Sequence, residues 1–271
     1  MLYQVYPPSE DLQDFIKCFW TLEDEPVQQP VTQRVVPDGC MEMIFHYGDL
    51  YRQHFADGST ILQPRSFIFG QITNYIEISP TGRSGIVAAR FHPEGLAPFL
   101  NVPAAKLENK AFSLVEVLGE KAMYLESQVL NSGSNTERMK IIEAFLLCYL
   151  SEPATIDEVT KNCVDVIFKS QGQLDVSELA GKMNINRRNI ERRFTTAIGM
   201  SPKQLSRAVR LQSTIRMLEA QNFTSLTSLA YENGYYDQAH FIRDFKEFTG
   251  MSPKSFFADN LMYASLFATA Q

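Results

Sequence analysis

The chain is predicted to combine an α+β amino-terminal domain, an antiparallel β sandwich or barrel followed by a helical pair, with an all-α carboxyl-terminal domain of two helix-turn-helix motifs joined by a long helix. Three observations predict this. Short β-rich runs alternate with turn residues between Gln33 and Phe91, apolar residues recur at helical spacing between Leu114 and Tyr149, and a motif around Phe194 returns around Phe245. A length of 271 residues suggests two domains rather than one. They are placed at 1–152 (sheet about 1–100, helices about 112–151) and 153–271.

The β-rich part contains RVVPDGCMEMIFHYGD, SFIFG, YIEISPTG and SGIVAARFHPEG, punctuated by Pro37-Asp38-Gly39, Thr81-Gly82 and Pro93-Glu94-Gly95. Alternation within MEMIFHY and GIVAARF fits half-buried strands. Beyond it, Leu114, Leu118, Ala122, Leu125 and Val129 form one apolar stripe, and Met139, Ile142, Phe145 or Leu146, and Tyr149 form another. The polar turn Asn131-Ser132-Gly133-Ser134-Asn135 separates the two helices. Such a pair attached to a sheet leaves one face to cover, so a homodimer formed through it is expected.

The repeat is the strongest signal. FTTAIGMSPK from Phe194 reappears as FKEFTGMSPK from Phe245, and Leu179-Ala180 recurs as Leu229-Ala230. In the first copy Asp175 caps a helix to about Met183 with Glu178 completing a capping box, and in the second Ser225 caps a helix to about Asn233. Asn184 and Gly234 supply the left-handed residue for a sharp stop, Asn186 and Asp237 cap the next helices, and Gly199 and Gly250 end them. Ile190, Phe194 and Ala197, like Phe241, Phe245 and Phe248, make the inward stripes. Ser201-Pro202 and Ser252-Pro253 start the helices that follow. Helix, tight turn, helix is a geometry that presents the second helix to a major groove. In the first copy that helix carries Arg187, Arg188, Arg192 and Arg193, whose planar forks suit phosphate and guanine edges; the second offers Gln238, His240 and Arg243.

Charge supports this division. Residues 1–160 hold 11 Lys and Arg against 21 Asp and Glu, a balance of −10, whereas residues 161–271 hold 14 against 10, a balance of +4. Only the second half is suited to phosphate. No stretch has the roughly 18 to 20 uninterrupted apolar residues that span a bilayer, and the first residues lack a signal-peptide core, so a cytoplasmic protein without a membrane partner is expected. Cys18, Cys40, Cys148 and Cys163 match neither a metal pair nor a disulfide framework; reduced, mostly buried thiols are expected rather than a redox sensor.

At ELAGKMNINRRNIERRF, GMSPKQLSRAVRLQ and SLAYENGYYDQAHFIRDFKEFTGMSPKSF the chain resembles the AraC/XylS family of transcription regulators, over roughly residues 160–260. The resemblance implies double-stranded DNA as partner, with RNA polymerase a further one, and a long helix from about Pro202 to Ala220 spacing the motifs. By position it places Arg188, Glu191 and Arg192, and Gln238, Ala239, His240 and Arg243, at the family's base-facing sites. Arg187, at the helix start, is assigned to DNA as well. Glu191 departs from the usual polar or basic residue, and is read either as a partner for a cytosine amino group or as a residue that orients Arg187 or Arg188. The front half is more weakly similar to the family's sensor domains through VAARFHPEGLAPFL, and its opening, PPSEDL before FIKCFW, is similar to an uncharacterised group of them. This implies a cupin-like sheet for a small-molecule effector and a helical pair for dimerisation.

Trp20, Arg34, Asp38, Glu42, Arg65 and Arg90 are the candidate pocket residues. A metal enzyme built on His46, His54, His92 and Glu42 or Asp57 is the competing reading, and it lacks the clustered histidines such sites use. No GxSxG or GxxxxGK[ST] sequence is present. No catalytic residue, metal or cofactor is therefore assigned. A pure interaction module without ligand is the third reading.

Overall fold

The computed structural model describes residues 1–26, 31–150, 156–221 and 223–259. The strands are β1 (Leu2–Tyr6), β2 (Ile16–Asp24), β3 (Gln33–Val35), β4 (Glu42–His46), β5 (Tyr51–His54), β6 (Thr60–Leu62), β7 (Ser66–Phe69), β8 (Ile76–Pro80), β9 (Ser84–Phe91) and β10 (Ala111–Ser113). They form two sheets in the orders β1-β2-β9-β4-β7-β10 and β3-β8-β5-β6, with every paired neighbour antiparallel. The larger sheet thus runs on to residue 113, past the expected limit near 100. The boundary expected between 152 and 153 falls in residues 151–155, outside the described residues.

The two sheets face each other around Trp20, Leu22, Ile44, Tyr51, Phe67, Phe69, Ile86 and Ala88. The opposite face of the larger sheet, with Phe19, Met43, Phe45, Val87, Ala89 and Phe91, is covered by α1 (Leu114–Leu118), α2 (Lys121–Asn131) and α3 (Asn135–Tyr149). This corrects the half-buried reading of GIVAARF: all eight residues of β9 are buried, because one face meets the second sheet and the other meets helices. The stripe from Leu114 to Val129 is interrupted at Gly119, which separates α1 from α2, and it is consumed by the chain's own sheet: Leu118 is 5% exposed and Leu125 1%.

The second domain is α4 (Glu158–Lys169), α5 (Val176–Met183), α6 (Arg187–Ala197), α7 (Pro202–Glu219), α8 (Leu226–Glu232), α9 (Gln238–Thr249) and α10 (Pro253–Asp259). It has two cores, one for each repeat. Cys163, Ile167, Leu179, Ile190, Phe194 and Val209 fill the first; Leu211, Ile215, Leu229, Phe241, Phe245 and Phe248 fill the second. The long α7 serves both, giving Leu205 and Val209 to one and Leu211, Ile215 and Leu218 to the other.

Candidate nucleic-acid interface and ligand cavity

Local sequence chemistry sets each reading helix. Asp175 accepts hydrogen bonds from the Ser177 and Glu178 amides while Glu178 closes the capping box. Asn184 stops α5 in the left-handed conformation at φ 52°. Two residues later Asn186 caps α6 through the Asn189 amide. Ile190 and Phe194, both fully buried, turn that helix so that Arg188 and Arg192 lie exposed one turn apart, flanked by Asn186 and Asn189. Arg192 Nη2 donates to Asn189 Oδ1 at a long 3.5 Å, and the other two arginines are held more closely. Arg187 Nε donates to Glu191 Oε1 at 2.8 Å. Arg193 is tied to Asp157 at the start of α4 and donates to Asn189 Oδ1 at 3.1 Å, so it braces the domain instead of joining the exposed array.

In the second copy Ser225 caps α8 and Asp237 caps α9 through the His240 amide. Ala239 and Arg243 are exposed at the positions matching Arg188 and Arg192. Gln238 Oε1 accepts from Thr227 Oγ1 at 2.8 Å, and the His240 ring stands edge-on to Tyr235 with centroids 5.4 Å apart.

The arginines of α7 fix the two motifs against each other, a role that the repeat alone does not reveal. Arg207 is paired with Asp244 and Glu247 of α9 and lies over the Phe248 ring. Arg210 donates to the carbonyl of Gly172 at 2.9 Å and lies over Tyr235. The cleft between the motifs is lined by Arg187, Lys203, Arg207, Arg210, His240 and Arg243 together with Asp175, Asp244 and Glu247 and the start of α5. Exposed Lys203, the third residue after Met200 in GMSPK, adds a cation here that sequence inspection passed over.

The glycines ending the reading helices meet the first domain. Gly199 (φ 87°) lies where a Cβ would come within 2.9 Å of the Ala104 backbone, and Gly250 (φ 71°) where it would come within 2.6 Å of the Tyr75 ring. A side chain is excluded at both by conformation and by contact. Beside Gly250, Arg34 donates to the Thr249 carbonyl at 3.1 Å, pairs with Glu77 at 2.8 Å and covers Tyr75. Between the two anchors Gln212 of α7 donates to the Pro37 carbonyl at 2.8 Å.

A cavity of about 60 Å³ opens between the sheets, below the roughly 300 to 1,000 Å³ typical of small-molecule sites and suited only to a compact ligand. Of the six candidate pocket residues, Trp20, Asp38, Glu42 and Arg90 line it. Arg34 and Arg65 do not, and their assignment is corrected: Arg34 points from β3 to the second domain, and Arg65 donates to the carbonyls of His46 (2.9 Å) and Gly48 (2.5 Å) at the sheet's end. Glu42 and Arg90 are cross-strand partners of β4 and β9, which explains their meeting. Sequence inspection missed the apolar wall, Ile44, Phe69, Ile72, Ile76, Ile78 and Ile86, since inward-facing aliphatic residues look alike whether they pack or line a void. Burial pushes Glu42 up to about 7 and holds His46 down to about 4. His46, His54 and His92 lie apart, bonded to Gln63, Ser79 and the Gln13 carbonyl respectively, and among the described residues no three metal-ligating side chains converge. Cys18, Cys40 and Cys163 are buried and Cys148 exposed, and none of the four is in a disulfide.

Two capped helix-turn-helix units are carried on one spacer helix, an arrangement that presents the second helix of each to solvent. Residues 179–259 match the helix-turn-helix domain family, and residues 4–113 match a domain of unknown function (DUF6597). An uncharacterised HTH-type transcriptional regulator of Haemophilus influenzae is 33% identical over 93 residues, covering 34% of this chain and 31% of that protein. The Msm operon regulatory protein of Streptococcus mutans is 29% identical over 118 residues, covering 43% and 42%. The chain therefore spans less than half the length of these relatives. Among solved structures, ToxT from Vibrio cholerae is similar with a TM-score of 0.49 at 12% identity, covering 89% of this chain and 98% of that one. No helix among the described residues is long and apolar enough to cross a membrane.

Proposed function

We propose that this chain is a sequence-specific DNA-binding transcription regulator, acting in the cytoplasm, whose amino-terminal sandwich binds a small effector. The observation that carries the reading is the matched presentation of Arg188 and Arg192 on α6 and of Ala239 and Arg243 on α9, each pair aimed outward by its own cap and buried aromatic anchor. Effector control is supported by the position of β3: Val35 lines the cavity, while neighbouring Arg34 holds the end of α9. A ligand that displaces Val35 bears on the second reading helix through one peptide unit. The outer face of α2 and α3 supplies a surface for a second copy of the chain, and RNA polymerase is the partner through which bound regulator would act.

The test is binding of the full chain to duplexes selected from a random pool, across salt concentrations. Phosphate contacts release counterions, so log K should fall with log salt at about 0.9 per contact. A nearly flat salt response, or failure of selection to enrich any sequence, would show that these helices do not read DNA.

A further inference from the structure

The polar wall of the sandwich cavity has an unequal charge balance. Arg90 is ion-paired to Asp38, and its Nε stands 3.6 Å from Glu42 Oε1. Asp38 also accepts from the Cys40 amide at 2.8 Å, and Glu42 from Trp20 Nε1 at 3.0 Å. Two carboxylates therefore share one guanidinium, and no other cation lines the cavity among the described residues. Access differs as well. The Arg90 side chain is 3% exposed, Asp38 10% and Glu42 16%, so an incoming molecule meets the Glu42 carboxylate and finds the guanidinium covered.

The remaining polar lining is electron-rich. His46, 1% exposed, is bonded through Nε2 to Gln63 at 3.2 Å, and its Nδ1 is buried with no hydrogen-bond partner. Held neutral, and with Nε2 donating to the Gln63 oxygen, the ring keeps Nδ1 as an acceptor. Trp20 adds an aromatic wall whose indole N–H is already spent on Glu42. An anion entering here would face the Asp38 carboxylate, the Glu42 carboxyl poised near pH 7 and a histidine lone pair at low dielectric, with no uncommitted donor of positive charge.

We propose that the cavity binds a small lipophilic amine in its protonated form, with the ammonium on Glu42 beside Trp20 and the apolar body against Ile44, Ile76, Ile78 and Ile86. This rests on the effector reading above and specifies its ligand class. A positive group there would complete the neutralisation that Arg90 leaves unfinished, and the aliphatic wall would contribute affinity in proportion to the area it covers.

The test uses the full chain and three compact probes of one shape, isopentylamine, isopentanol and isovaleric acid, followed by thermal shift and calorimetry at pH 7. The amine is expected to bind tightest, the alcohol more weakly and the acid not at all. Glu42→Gln, which keeps an acceptor for Trp20, should weaken the amine by about tenfold or more and the alcohol by less. Should that variant not fold, proton linkage on the wild-type chain decides the matter. The titratable and charged groups around Glu42 are Tyr3 from β1, Lys17 and Cys18 from β2, Arg90 from β9, and Asp38 and Cys40 before β4. Burial raises the phenol and both thiols, so they stay protonated at pH 7. Protons released by the amine but not by the alcohol, seen as buffer-dependent heat, then come from Glu42. Absence of that release, or isovaleric acid binding as tightly as the amine, overturns the proposal. DNA affinity measured in parallel separates the two readings. Failure of all three probes with DNA binding intact removes the ligand class alone, whereas amine binding that leaves DNA affinity unchanged removes effector control alone.

Discussion

Four arginines crowd the start of α6, and their existing bonds divide their work. Arg193 is committed to Asp157, and Arg187 spends its Nε on Glu191, an exposed i,i+4 pair of little energetic weight. Arg188 and Arg192 are the exposed pair one turn apart. Arg192→Ala is expected to cost about 1 to 3 kcal/mol at the selected site and to relax preference at one base pair, whereas Arg187→Ala should weaken all duplexes about equally and lower the salt slope by roughly one unit. Titrating selected and scrambled duplexes side by side checks both; equal losses on the two duplexes for Arg192→Ala would assign that side chain to the phosphate backbone. A second expectation concerns Glu42, which burial raises from an ordinary 4.5 to about 7. A raised folded-state value favours the folded chain most below pH 4.5, and that contribution is lost as pH climbs through 7. Glu42→Gln has no such group, so wild-type stability should fall relative to the variant between about pH 5 and 8, read as urea midpoints. Glu94, also raised to about 7, and His46, lowered to about 4, are present in both chains and cancel. A constant difference across that range would mean that the carboxyl ionises as easily folded as unfolded.

At the level of elements, the parts legible in the sequence are those written in local chemistry. The span of α5, the left-handed Asn184, the caps Asn186 and Asp237, and the serine-proline start of α7 follow from residues within one or two turns of each other. The sandwich was legible only as a class. Which strand pairs with which depends on distant residues: β2 pairs with β9, and β4 lies between β9 and β7. The same distance dependence separates Arg90, inside the cavity, from Arg34 and Arg65, outside it, although all three are arginines in or beside short strands. The helical pair shows a further limit. Its periodic residues cover its own sheet, and the surface left open is the other side, where Met123 is 60% exposed, Tyr124 69% and Leu147 36%. Along that side Tyr124, Phe145, Cys148 and Tyr149 border a shallow groove. A homodimer through α2 and α3 therefore predicts that Tyr124→Glu leaves the monomer folded and raises the dimer dissociation constant by about tenfold or more, as truncating an aromatic interface anchor does. Leu118→Glu should instead unfold the domain. Sedimentation velocity at micromolar concentration distinguishes these, and a wild-type monomer there would remove the dimer.

Over the whole molecule, the first domain touches both repeats at the same internal position. Gly199 and Gly250 occupy matching places in the two motifs, and each packs on a different part of the sandwich domain, the Ala104 turn and Tyr75 of the β3–β8 edge. Neither reading helix can rotate without changing its contact with the first domain, and Gln212 pins α7 between them. The anchors differ in nature. Gly199 rests on backbone, whereas the contact at Gly250 depends on Arg34 joining Glu77, Tyr75 and the Thr249 carbonyl. Arg34→Ala should therefore release the second motif and leave the first in place. Loss of a partly buried, charge-assisted hydrogen bond and its aromatic contact is expected to cost about 1 to 3 kcal/mol. Because the bonds lost are local, the effect should appear in hydrogen exchange as faster opening of residues 33–35 and 246–251, with residues 176–197 unchanged. Footprints on a selected duplex should weaken under α9 and persist under α6. If instead residues 176–197 lose protection to the same degree, the two motifs open as one cooperative unit, and the sandwich grips the DNA-binding domain as a block rather than holding each reading helix separately.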